Sequence, residues 1–96
     1  MREYELVVIL SPEVPEDEVP AAVERLQQSI RSRGGEVTEV DHWGRRKLAY
    51  PIRRYTEGNY VVTQIRMDPE RTRELEAGLL ISEEVIRHLL VRKEGE

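Results

Sequence analysis

Between His42 and Arg54 the sequence reads HWGRRKLAYPIRR, five cations around an apolar pentapeptide, and here the chain has the most chemistry to offer. The guanidinium and ammonium groups of Arg45, Arg46, Lys47, Arg53 and Arg54 suit the neutralisation of an anionic surface. Four further cations, Arg2, Arg87, Arg92 and Lys93, flank the first and last apolar runs. A net charge of -4 at pH 7 speaks against a polyanionic ligand, but the charge is divided: about -5 over residues 1–30, +4 over 31–66 and -3 over 67–96. Positive charge is local.

Catalysis has little to work with. No G-x-x-x-x-G-K-[ST] phosphate loop occurs, and the sole Gly-Gly pair, Gly34-Gly35, closes a helical stretch instead of opening one. His42 and His88 lie far apart, lack metal-ligand spacing and read as strand or surface histidines. There is no nucleophile elbow and no cysteine, hence no disulfide or thiolate site, which fits a reducing compartment. We expect no enzymatic activity, cofactor, metal or small-molecule substrate. The apolar run in MREYELVVIL is bounded by charges and falls far short of the roughly 20 residues of a membrane span, with no signal peptide, so a cytoplasmic protein without membrane contact is expected.

The elements that must position these cations follow from periodicity. Residues 1–93 read as one domain and 94–96 as a short polar tail. Tyr4 to Leu10 is apolar on both parities, the pattern of a central strand. Val19, Ala22, Val23, Leu26 and Ile30 form one stripe on a helix of roughly five turns, with Pro20 in its opening turn and Gly34-Gly35 as its stop. Glu36 to about Leu48 carries charge on both parities and contains Gly44, which predicts an edge strand with a bulge, ended near Pro51. Glu57-Gly58-Asn59 reads as the hairpin turn into a strand from Tyr60 to Met67. Asp68-Pro69-Glu70 opens a short helix with Leu75 and Leu79 on its apolar side, and Val85 to Val91 makes the last strand.

This order predicts an α+β, ferredoxin-like β-α-β-β-α-β fold, a four-stranded antiparallel sheet with two helices on one face. The acylphosphatases share the order and bind phosphate in the loop after strand 1; here that loop is SPEVPEDE, whose acids would repel it. Adjacent strand ends are expected to gather Arg2, Arg87, Arg92 and Lys93. Arg45, Arg46 and Lys47 form a second basic set, which either guards an edge strand against aggregation or faces an anionic surface. Leu48, Tyr50 and Ile52 share one parity with Trp43 nearby, and this row is either core or an exposed surface for a partner.

The stretch DHWGRRKLAYPIRR resembles the signature of the bacterial small-subunit ribosomal protein six family: glycine, one or two basic residues, Leu-Ala-Tyr-Pro-Ile, then a polar residue. The resemblance extends through the REYELVVIL start, the acidic helix opening, the hairpin after YPI and VIRHLLVRK near the end. It implies a ferredoxin-like fold, a place on the central domain of small-subunit ribosomal RNA and a joint binding unit with small-subunit ribosomal protein eighteen. The expectation is therefore a structural constituent of the cytoplasmic small ribosomal subunit. Arg2, Arg45, Arg46, Lys47, Arg87, Arg92 and Lys93 are its candidate RNA contacts, and Trp43, Leu48, Tyr50 and Ile52 its candidate partner contacts. The alternative is a self-associating ferredoxin-like ligand-sensing module whose open sheet face pairs with a second copy.

Overall fold

The computed structural model describes residues 1–93; the expected tail at 94–96 lies outside the described residues. Four strands, β1 (Arg2–Leu10), β2 (Glu36–Ile52), β3 (Tyr55–Met67) and β4 (Val85–Arg92), alternate with two helices, α1 (Val19–Ser32) and α2 (Thr72–Ile81). The sheet order is β2-β3-β1-β4 and every pairing is antiparallel. The doubly apolar β1 is central, as its pattern requires, and the charged β2 is an edge. No helix among the described residues is long and apolar enough to cross a membrane.

Both helices cover one face. Tyr4, Leu6, Val8 and Leu10 of β1 and Val61, Ile65 and Met67 of β3 pack in one cluster with Ala22, Val23, Leu26 and Ile30 of α1 and Leu75 and Leu79 of α2. Their burial is the main term holding the two layers together. The helix stripe read from sequence is therefore the buried stripe. α1 runs for 14 residues, about four turns, after a single 3-10 turn at Glu16–Glu18. Pro20 falls in its opening turn, where its missing N–H has no partner to lose.

Asp68 starts the second helical segment as its sequence predicts. Its carboxylate accepts the Glu70 amide at 3.0 Å, Pro69 follows, and a 3-10 turn leads directly into α2. Asp68→Ala should cost about 1 kcal/mol and lower the thermal midpoint by roughly 4 to 8 °C, whereas Asp68→Asn keeps most of the stability. Thermal unfolding followed by circular dichroism checks this.

Two expectations about the hairpin need correction. Glu57-Gly58-Asn59 is interior strand; the chain reverses at Arg53-Arg54, where Arg53 takes φ 60°, and β2, read as running to about Leu48 and ending near Pro51, extends to Ile52 just past that proline. Gly58 lies opposite Arg46 in the ladder, and a Cβ there would sit 2.5 Å from Ile9 Cγ2 and 3.0 Å from the Leu10 carbonyl oxygen. Glycine is thus required by close approach of a neighbouring strand. Pro51 falls where the ladder is irregular, between the Lys47–Glu57 and Ile52–Tyr55 pairs, so its lack of an N–H is tolerated.

β1 stops pairing with β3 at Asn59, whereas β2 and β3 remain paired out to Ile52 and Tyr55. The end of the hairpin therefore projects beyond the sheet as an arm. It returns over the open face, where Leu48, Ala49, Tyr50 and Ile52 line a groove of about 140 Å³ with Ile9, Tyr60 and Arg87.

Candidate nucleic-acid interface

Alternation along β2, with a bulge at Gly44, distributes the basic segment over both faces of the sheet. Gly44 has φ 84°, and the register shifts between His42 and Gly44. Residues directly opposite in an antiparallel pair point to the same side. Arg45 is opposite Asn59, which is itself opposite the core residue Leu10, so Arg45 belongs to the helix-covered side. There its guanidinium lies 3.5 Å from Glu16 and 3.8 Å from Glu57 and donates to the Pro12 carbonyl at 3.2 Å. Arg54 is similarly engaged, donating to Glu13 at 2.7 Å. That hydrogen bond holds the Glu13 carboxyl below the usual carboxylate range and raises Arg54 above the ordinary arginine value.

The acidic loop after β1 thus supplies counter-charge to part of the basic segment. Glu13 and Glu16 pin the arm from the helix side. In the sequence these acids read as a helix opening and as a barrier to phosphate, not as partners of the arm. Their spatial partners lie about 30 to 40 residues away along the chain, and no local pattern announces them.

Arg46 goes the other way. It is opposite Gly58 and shares the open face with Tyr60, and its guanidinium carbon lies 5.1 Å from the centre of the Trp43 ring. Trp43 in turn lies nearly parallel to Tyr60, at 6.3 Å and 15°, and its indole N–H donates to Asp41 at 3.1 Å. Arg87 donates to the Tyr50 hydroxyl at 2.6 Å and lies 5.9 Å over that ring. Among the described residues, Arg46, Lys47, Arg53 and Arg87 have no carboxylate within ion-pair distance.

The expected gathering of Arg2, Arg87, Arg92 and Lys93 is corrected by the register. Arg2 is opposite Met67 and Arg92 is opposite Tyr4, both core residues, so these two share the helix-covered side at one sheet end. Lys93 is at the same end but on the open face, where its amine donates to Gln64 at 2.9 Å. Arg87 is opposite Ile9 at the far end of β4. Arg87 and Lys93 are six positions apart in extended chain, roughly 20 Å. The reason is geometric: β4 runs antiparallel to β1, so its last residues meet the start of β1 and its first residues meet the end. Arg2, Arg87 and Arg92 nonetheless have no carboxylate partner among the described residues.

The apolar row is neither wholly core nor wholly exposed. Leu48 and Ile52 are half-buried against the groove, outside the main core cluster, and Tyr50 is 57 % exposed. The open face also carries Leu89 and Val91 of β4, 55 % and 42 % exposed, which sequence reading did not single out. Their signal was present: on an edge strand, Leu89 and Val91 alternate with Leu90, which packs on the core.

The histidines hold no shared site. His42 is an exposed residue on β2, and His88 lies against α2, its Nε2 2.8 Å from a Glu76 carboxylate oxygen. His88 fastens a helix to the sheet.

Comparison with known proteins gives the same outline. The family model described as ribosomal protein S6 matches residues 3–92. The small ribosomal subunit protein bS6 of Dehalococcoides mccartyi is 46 % identical over all 96 residues, covering 88 % of that protein. The protein of the same name from Desulforamulus reducens is 41 % identical over the full length of both chains. The crystal structure of 30S ribosomal protein S6 from Thermotoga maritima superposes with a TM-score of 0.89 at 38 % identity, covering 96 % of this chain and 87 % of that one. A likeness to the C-terminal domain of MgtC from Mycobacterium tuberculosis, at TM-score 0.59 and 17 % identity, concerns the fold alone. With the signature segment, the element order and the full-length matches in agreement, the chain belongs to the ribosomal protein S6 family.

Proposed function

We propose that the chain is a non-catalytic structural constituent of the cytoplasmic small ribosomal subunit, holding central-domain small-subunit ribosomal RNA jointly with small-subunit ribosomal protein eighteen. The observation that carries this reading is the open sheet face. Among the described residues it has no helix over it and no carboxylate partner for Arg46 or Arg87 at its border, and it exposes Tyr50, Leu89 and Val91. An exposed apolar patch with a polar border is the usual form of a protein contact, and unpaired cations beside it are available to phosphates. The remaining basic candidates, Arg2, Arg92, Lys93 and Lys47, lie at the sheet ends and on the arm. Arg45 contributes by fixing the arm, since its guanidinium is already shared between Glu16 and Glu57.

A chain with net charge -4 binds a polyanion best when a basic partner shares the task. Each phosphate neutralised contributes about 0.9 to the slope of log K against log salt. The test is binding to a central-domain ribosomal RNA fragment with and without protein eighteen, across salt concentrations. Tight binding with a steep slope is expected for the pair, and weak binding with a shallow slope for the chain alone. Leu89→Ala with Tyr50→Ala should weaken capture of protein eighteen by roughly tenfold or more, as expected for truncating exposed anchors of an interface. A chain that forms homodimers and ignores RNA even with protein eighteen present would instead be the self-associating module.

A further inference from the structure

We infer that the aromatic side of the hairpin takes unpaired nucleotides of RNA, with bases stacked on Trp43 and phosphates held by Arg46 and Arg87. This deepens the RNA-binding reading above and rests on it. The chain has one tryptophan, four tyrosines and no phenylalanine. Only Tyr4 belongs to the main core; Trp43, Tyr50, Tyr55 and Tyr60 all lie in the β2–β3 hairpin. Trp43 and Tyr50 are 46 % and 57 % exposed, so packing does not account for them.

Each of three rings carries a guanidinium: Arg46 at 5.1 Å from Trp43, Arg54 at 5.0 Å from Tyr55 and Arg87 at 5.9 Å from Tyr50. Two of them, Arg46 with Trp43 and Arg87 of β4 with Tyr50, lie on the open face, whereas Arg54 is held on the helix side by Glu13. Rings interleaved with arginines are what single strands require, because every base has a face to stack and every step has a phosphate to neutralise.

The geometry also selects against a duplex. The deep major groove of A-form RNA does not admit side chains, and its backbone offers planar rings nothing to stack on. A splayed base does. The Trp43 plane is held ready for one: its indole N–H is fixed to Asp41 at 3.1 Å, and Tyr60 supports it nearly parallel at 6.3 Å. Among the described residues no carboxylate holds Arg46 to the ring, so it can turn to a phosphate as the base arrives.

Trp43 reports on its own site, since its emission is the chain's only tryptophan signal. The intact chain is titrated at low salt with a short single-stranded oligoadenylate and with an RNA duplex of equal phosphate number. Saturable quenching by the single strand, with little by the duplex, is expected. Trp43→Leu, checked for an unchanged melting curve, should weaken single-strand binding by roughly 5- to 100-fold, read from the anisotropy of labelled RNA, and leave duplex binding unchanged. Trp43→Phe should keep most of the affinity.

Absence of saturable quenching up to millimolar strand, or an equal loss for duplex and single strand in Trp43→Leu, overturns the inference. So does a Trp43→Leu variant that loses protein eighteen while binding the oligoadenylate normally, since the rings would then serve the protein partner. In either case intact binding of central-domain RNA by the pair leaves the broader reading standing; loss of that binding by the unsubstituted chain would remove the broader reading itself.

Discussion

Gly58→Ala should lower the melting temperature by roughly 5 to 20 °C, equivalent to about 1 to 3 kcal/mol of overpacking in a domain of this size. Gly58 is buried within β3, and its backbone passes so close to β1 that an added Cβ would meet Ile9 Cγ2 at 2.5 Å and the Leu10 carbonyl oxygen at 3.0 Å. A side chain can move aside; a carbonyl in a central strand cannot move without disturbing its ladder. Gly44 is the natural control. Its φ of 84° makes alanine strained, but nothing lies within 4 Å of the added atom, so Gly44→Ala should cost only about 1 kcal/mol. Ile9→Ala, destabilising alone, should cost much less in the Gly58→Ala background, because it removes one of the two collisions. Thermal melts of the four variants measure this coupling. Additive losses within about 0.5 kcal/mol would show that Gly58 answers some other demand than crowding by Ile9.

Replacing Arg2, Arg46, Arg87 and Arg92 together by alanine should weaken binding of the chain and protein eighteen to central-domain RNA by about 100-fold or more near 0.1 M salt. The slope of log K against log salt should become shallower by about 3 to 4, roughly one unit for each phosphate that is no longer neutralised. The comparison is Arg45→Ala with Arg54→Ala, which removes two cations of the same segment. These already face Glu16, Glu57 and Glu13, so the RNA loses little and the expected change is less than about threefold. Binding titrations of both variants across salt separate the cases. If the Arg45 and Arg54 pair proves the costlier, total charge in the segment matters more than which cations are paired, and the geometric assignment fails.

Much of the architecture was legible in the chain because its signals are local. A strand apolar on both parities is central wherever it occurs, and β1 is central. The stripe through Ala22, Val23, Leu26 and Ile30 is buried because helical periodicity leaves it one side to share. Asp68 caps and Pro20 opens a helix because both roles are decided within a few residues. Gly44 marks a bulge on an edge strand for the same reason, and the segment from Asp41 to Arg54 carries the family resemblance whole.

The site was legible only as a set of residue types. Which cations are engaged depends on register, and register is fixed by distant strands: Arg45 meets Glu16 and Arg46 meets Trp43 although the two arginines are adjacent. Gly58 looked like a turn residue because the same absence of a Cβ serves a tight turn and a close approach between strands. Arg2 and Arg87 looked like neighbours because both flank paired strands, yet antiparallel pairing carries the start of β4 to the far end of β1. Composition, periodicity and caps therefore determined most of the elements and the buried faces, and the signature segment carried the family. Pairing across the sheet alone decided which charges stay available and which rings stay exposed, because alternation sends adjacent side chains to opposite faces and the partners there come from far along the chain.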